Sequence, residues 1–156
     1  MNYKQTVNTG RTRFAMRAEL AKREPDFQRI WVERQVYETI AQRNAAKGTY
    51  VLHDGPPYAN GHIHMGTATN KILKDFVVKY KAMDGYRTPY IPGWDCHGMP
   101  IEIHAAKEFR SRGISPTRLE LRHAARKHAE KFVAVQREEF KRLGCIGDWE
   151  HPYLTM

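Results

Sequence analysis

The sequence predicts an α/β fold built on a βαβ unit with parallel strands, preceded and followed by helices. Three observations carry this. Tyr50-Val51-Leu52 is a short apolar run that leads into a proline- and glycine-containing loop, as a buried strand does. Met65, Ala68, Ile72, Phe76 and Tyr80 then recur every three or four residues, with Leu73 and Val77 widening the stripe, which is the period of an amphipathic helix. Gly85 breaks that helix, and residues 88–91 supply a second strand before Pro92-Gly93. The connection between parallel strands is expected to be right-handed.

The first 25 residues are polar and irregular and end at Pro25. Asp26 is placed to cap a helix carrying Phe27, Ile30, Trp31, Tyr37 and Ile40, which Gly48 ends. Residues 1–47 therefore read as an N-terminal extension with a helix, and residues 48–156 as the α/β part. In residues 55–61 two prolines and two glycines exclude a helix. The helix opening at Met65 spans roughly sixteen residues or more. A long helix from Pro116 to Leu143 follows, with Ala125, Ala129, Phe132, Gln136, Phe140 and Leu143 on one face; Gly144 and Gly147 end it. Only two strands emerge. A parallel sheet has both faces covered and usually several strands, so the sequence reads as half of a larger fold.

With 41% hydrophobic and 28% charged residues, the composition is that of a globular protein. Cys96 and Cys145 are far apart, which excludes a disulfide framework or cysteine-rich zinc site here and suggests a reducing, intracellular compartment. No apolar run approaches the ~20 residues that cross a membrane, and the start lacks the pattern of a secretory signal. The net charge of +9 fits an anionic partner such as RNA or nucleotide phosphate, and equally a solvated basic surface.

The junction of the first strand and the helix reads His62-Ile63-His64-Met65-Gly66-Thr67. Such a junction is where α/β folds bind phosphates, through backbone N–H groups and the positive end of the helix dipole. Neither a dinucleotide nor a P-loop fingerprint is present. His64 and Thr67, three apart, share a face of the first turn, and each has a donor for phosphate oxygens. Gly66 leaves backbone open to a planar ligand. The spacing alone also suits a capping or surface histidine. The histidines offer no zinc-like ligand set.

The loop His53-Asp54-Gly55-Pro56-Pro57-Tyr58-Ala59-Asn60-Gly61 and the later Pro92-Gly93-Trp94-Asp95-Cys96-His97-Gly98-Met99-Pro100-Ile101-Glu102 strongly resemble the class I aminoacyl-tRNA synthetases. Within them the likeness is to the branched-aliphatic subgroup, most closely its isoleucyl members. His64-Met65-Gly66-Thr67 occupies the place of the class's "HIGH" signature, with Thr67 where the second histidine usually stands. Asn70-Lys71-Ile72-Leu73-Lys74-Asp75, Leu20-Ala21-Lys22-Arg23-Glu24-Pro25, Gly147-Asp148-Trp149 and His151-Pro152-Tyr153-Leu154-Thr155-Met156 continue the match, which covers nearly the whole chain. The isoleucyl assignment rests on the two loops around Gly55 and Trp94.

The resemblance implies the first half of a class I synthetase Rossmann-type catalytic domain in residues 48–156, truncated before the editing insertion. The implied activity is ATP-dependent ligation of isoleucine to its tRNA through an isoleucyl-adenylate. It makes His64 and Thr67 the catalytic pair facing the ATP phosphates, with Asn60 and Gly66 shaping the nucleotide pocket. Gly55 and Pro56 become part of the amino-acid pocket, and Asp95 the partner of the substrate ammonium. Threonine cannot carry an imidazolium's charge, so Thr67 should stabilise a charged transition state less than histidine. Trp94 and Cys96 are expected to pack beside the site. Implied partners are isoleucine, ATP with Mg2+, and tRNA. The full-length protein is expected to be a cytoplasmic monomer, with no membrane association. No metal ligand is expected in this segment; any zinc site, the editing insertion and the second, lysine-rich signature are expected beyond Met156, and residues 1–156 alone are expected to be inactive. Two alternatives stay open: a valyl or other aliphatic synthetase, and a non-catalytic nucleotide- or RNA-binding half-domain.

Overall fold

The structure, a computed structural model of the chain, describes residues 3–7, 10, 13, 17–43 and 46–156. Before the α/β part lie helices α1 (Leu20–Glu33) and α2 (Val36–Gln42). Two expectations change here. Asp26 does not cap the first helix, which begins at Leu20 and contains Pro25. The preceding turn is already closed by Lys22 and Arg23 N–H groups donating to the Glu19 carbonyl, so proline removes one later bond from a helix with no buried residue. The single predicted helix is also two, because Gln35 takes a left-handed conformation (φ 48°) that breaks it. Gln28 Nε2 ties α1 to the C-terminus of the last helix by donating to the Arg142 carbonyl at 2.7 Å.

Helix α3 (Met65–Met83) forms where the periodicity places it, but turned over. Met65, Leu73, Phe76, Val77 and Tyr80 are exposed, and the buried face carries Lys71, Asp75, Val78 and Ala82. The inward charges are satisfied in place: Lys71 by Asp54, and Asp75 by the Ile146 N–H at 3.0 Å and by Lys79 at 2.6 Å. A hydrophobic-moment argument misreads such a helix, because it assigns every charge to solvent.

The expected strands at 50–52 and 88–91 form no regular ladder. Parallel bridges join Thr49 to Arg87 and Tyr58 to Asp95 at the two ends of these segments. Between them Pro56 and Pro57 lack N–H groups, and the Gly93 N–H turns to the Asp54 carboxylate at 2.9 Å instead of a backbone carbonyl. The regular ladder lies one step on: β1 (Gly93–Trp94) pairs in parallel with β2 (Tyr153–Leu154), Gly93 opposite Tyr153 and Trp94 opposite Leu154. Residues 87–95 therefore run between two parallel neighbours. β2 escapes sequence analysis because a two-residue strand has no period to read.

Between β1 and β2 come α4 (Met99–Ser111), which the sequence pattern alone did not reveal, and α5 (Arg118–Arg142). The signals for α4 are Pro100 in the first turn and the buried Ile101 and Ala105, four apart. Thr117 and Glu120 form a capping box that starts α5. Ala125, Ala129, Val133, Gln136 and Phe140 face inward, close to the predicted stripe, whereas Phe132 is half-buried and Leu143 exposed. The core joins Ala125, Ala129, Val133 and Phe140 to Ala59, Trp94, Cys96, Ile101, Ala105, Cys145 and Trp149.

Gly93 in β1 has no room for a side chain against β2. A Cβ there would overlap the Tyr153 ring and touch Pro56 Cβ at 3.4 Å. Gly93→Ala should part β1 from β2 and cost about 1–3 kcal/mol, measured by urea unfolding, the range of other overpacked core sites.

Candidate functional site

The signature begins at the N-terminus of α3. His64 is its N-cap: Nδ1 accepts from the Gly66 N–H at 3.0 Å and the Thr67 N–H at 3.4 Å. Thr67 Oγ1 closes the box, accepting from the His64 N–H at 2.9 Å and donating to the His64 carbonyl at 2.8 Å. Because Nδ1 is an acceptor, the ring proton sits on Nε2, which points away from the cap and is free to donate. The backbone N–H groups of Gly66 and Thr67, expected to face a ligand, are instead taken up by the imidazole. Gly66 is required for this seat, since a Cβ would lie 2.9 Å from His64 Cε1.

The loop before the signature is held from α5. Buried Gln136 donates through Nε2 to the carbonyls of Tyr58 at 3.1 Å and Gly61 at 2.8 Å, while Oε1 accepts from Trp94 Nε1 at 3.0 Å. Glu139 accepts from the Ile63 N–H at 2.9 Å and bonds His62 Nδ1. His128 Nε2 meets Asn60 Oδ1 at 3.0 Å. Burial, then the His104 ring stacked on it at 5.3 Å, holds the His128 pKa below the usual histidine value.

Under the loop, buried Asp54 binds Lys71 Nζ at 2.5 Å, Lys74 Nζ at 2.7 Å and the Gly93 N–H. Burial works against its charge, but the two ammonium groups and the amide outweigh it and hold its carboxyl below the usual range. Lys74 also donates to the Gly55 carbonyl at 3.0 Å, and Pro56 packs near Gly93. Gly55 and Pro56 are thus fixed beside β1 by a charge cluster that no local sequence pattern announces.

Asp95 follows β1. Its Oδ1 accepts from Thr155 Oγ1 at 3.1 Å and from the His97 N–H at 3.4 Å; Oδ2 has no partner among the described residues. Thr155 in turn accepts from the Cys96 N–H at 2.9 Å. Sequence reasoning misses Thr155, since sixty residues separate it from Asp95 and only the pairing of β1 with β2 brings them together. Burial raises the Cys96 thiol, and it raises Cys145 to about 12, so both are poor nucleophiles and pack the core.

The expected residues therefore form two groups. His64, Gly66 and Thr67 make one, at the start of α3. Asp95 makes the other, at the end of β1, and the Tyr58–Asp95 bridge sets Asn60 close by along the loop. Both groups lie at the carboxyl ends of parallel segments, where α/β folds bind ligands. Among the described residues no group of three or more His, Cys, Asp or Glu side chains is placed to hold a metal ion, and no helix is long and apolar enough to cross a membrane.

Residues 26–156 match the family described as tRNA synthetases class I (I, L, M and V), and the chain belongs to that family. Within it, the chain is 53% identical over 156 residues to an isoleucine–tRNA ligase of Desulforudis audaxviator and 54% identical over 156 residues to that of Geobacter sulfurreducens. It spans 17% of the length of each of these relatives and all of its own. Among solved structures it is similar to the agnB2 LeuRS of Agrobacterium radiobacter K84, solved as a ternary complex with tRNA and LeuAMS. The TM-score is 0.67 at 19% identity, over 89% of this chain and 16% of that one, a likeness of fold.

Proposed function

We propose that this chain supplies the ATP- and isoleucine-binding part of an isoleucine–tRNA ligase, with residues 48–156 forming the first half of its Rossmann-type catalytic domain. One observation carries the reading. The outward His64 Nε2–H and the unpartnered Asp95 Oδ2 stand at the carboxyl ends of two adjoining parallel segments, in a chain 53–54% identical to isoleucine–tRNA ligases.

In this reading the isoleucine ammonium binds Asp95, between Gly55-Pro56 and the end of β1. Its carboxylate oxygen attacks the α-phosphorus of ATP; the new O–P bond forms as the bond to the bridging oxygen breaks, releasing pyrophosphate. A terminal tRNA hydroxyl then attacks the carbonyl carbon, and AMP leaves. No protein nucleophile is needed, only position and charge. His64 donates to phosphate oxygens through Nε2, Asn60 and Gly66 border the nucleotide, and Mg2+ arrives with ATP. Thr67 contributes chiefly by locking the His64 ring, because its own proton is spent on the His64 carbonyl. The protein acts as a cytoplasmic monomer.

ATP–pyrophosphate exchange by the full-length protein tests this. Isoleucine is expected to support exchange well above valine, and preference for valine would refute the assignment. Asp95→Ala should raise the KM for isoleucine roughly 10–100-fold, as expected for removing one charge-assisted hydrogen bond, with the KM for ATP nearly unchanged. An unchanged isoleucine KM would remove Asp95 from the site.

A further inference from the structure

Asp95 is held by one of its two oxygens, and the side chain that holds it comes from beyond β2. Thr155 follows that strand and is half-buried; its N–H donates to the Trp94 carbonyl at 3.3 Å, carrying the pairing of β1 and β2 one step past Leu154. At the next step a side chain takes the place of the backbone: the Cys96 N–H donates to Thr155 Oγ1 at 2.9 Å. The hydroxyl proton is then left for another acceptor. A carboxylate can only accept, so Oγ1 donates to Asp95 Oδ1 at 3.1 Å, and the direction of both bonds is settled.

The other contacts of Oδ1 are weaker. The His97 N–H lies 3.4 Å away and His97 Nδ1 3.7 Å, on a side chain that is 67% exposed. At 27% exposure, Asp95 is also within reach of water. Without the Thr155 hydroxyl, the carboxylate would turn about χ2 towards water or His97. Its two oxygens are chemically equivalent, so what Thr155 fixes is the plane of the group, and with it the place of Oδ2. A binding group already held in place raises affinity, because binding then carries less cost of ordering it.

We infer that Thr155 is a positioning residue of the amino-acid site: it sets the Asp95 carboxylate so that Oδ2 meets the substrate ammonium. The inference rests on the ligase reading above and adds to it a residue sixty positions from Asp95. Thr155 acts through Asp95 alone, so its effect belongs to amino-acid binding and not to ATP.

Thr155→Val keeps the β-branched shape that suits a strand end and removes the hydroxyl. In ATP–pyrophosphate exchange by the full-length protein it should raise the KM for isoleucine roughly fivefold, less than Asp95→Ala does, because the charge remains. The kcat and the KM for ATP should stay within about twofold of the parent, as when binding alone is lost. Thr155→Ala should give the same pattern, which guards against a disturbance from the valine methyl. Thr155→Ser, which keeps the hydroxyl, should restore most of the isoleucine affinity. In an Asp95→Ala background, Thr155→Val should change the isoleucine KM by less than about twofold, since the two residues act as one unit. An unchanged isoleucine KM, an equal rise for ATP, a serine variant no better than valine, or effects that multiply with Asp95→Ala would each overturn the role. No isoleucine-dependent exchange by the unsubstituted protein would instead sink the ligase reading, and the role of Thr155 with it.

Discussion

Replacing Asp54 with alanine is expected to destabilise the protein by about 3–5 kcal/mol, the cost of leaving a buried ammonium unpaired. Lys71 and Asp54 are 2% and 1% exposed at their side chains, so water cannot stand in for the missing carboxylate. The Gly93 N–H also loses its acceptor, and nothing from the proline-containing segment replaces it. Denaturant unfolding at pH 7 measures the effect; a change below about 1 kcal/mol would show that the cluster relaxes into solvent. The pH dependence has a definite sign. A carboxyl whose native pKa is depressed contributes stability that is full above its unfolded pKa, about 3.9, and is lost as pH falls through the native value. The acid limb of the unfolding profile should therefore be flatter in Asp54→Ala.

The second large effect is at Gln136. Gln136→Leu leaves the Tyr58 and Gly61 carbonyls without their donor and the Trp94 indole N–H without its acceptor. A buried unsatisfied group costs about 1–3 kcal/mol; the indole N–H is buried and the two carbonyls partly so, and stability should fall by roughly 3 kcal/mol in all. Gln136→Glu separates the loop from the core. A carboxylate can still accept from Trp94 but cannot donate to either carbonyl. In the full-length protein this variant is expected to lower ATP–pyrophosphate exchange on the order of 100-fold through a displaced loop, with a rise in the KM for ATP. If the Glu variant unfolds at the same denaturant concentration as the parent and exchanges as fast, the loop does not depend on α5 for its position.

Much of the fold is legible where a local rule acts alone. The loop at 55–61, the start of α3 at Met65 and most of α5 follow from proline, glycine and helical period. α4 is legible only in part, since Pro100 with Ile101 and Ala105 makes a short signal within a segment that otherwise resembles a loop motif. The face of α3 is not legible. Its buried side holds Lys71 and Asp75, whose partners Asp54 and Ile146 lie 17 and 71 residues away. The same limit hides Thr155, Gln136 and Glu139 from the site: each acts on a residue at least sixty positions off.

The signature shows the division most sharply. Sequence placed His64, Gly66 and Thr67 at the start of a helix beside a strand end, because glycine, capping side chains and periodicity are local properties. The direction of each polar atom was decided by capping geometry: Nδ1, as acceptor, and the threonine hydroxyl turn inward to the helix end, and Nε2 alone turns out. Likewise sequence supplied Asp95, but the pairing of β1 with β2 brought up Thr155, which occupies one carboxylate oxygen and leaves the other free. Chain-local rules set which groups are present and close the cap on His64; long-range hydrogen bonds and buried charges, invisible to any period, set which atoms of Asp95 and of the loop are held and which stay unpartnered.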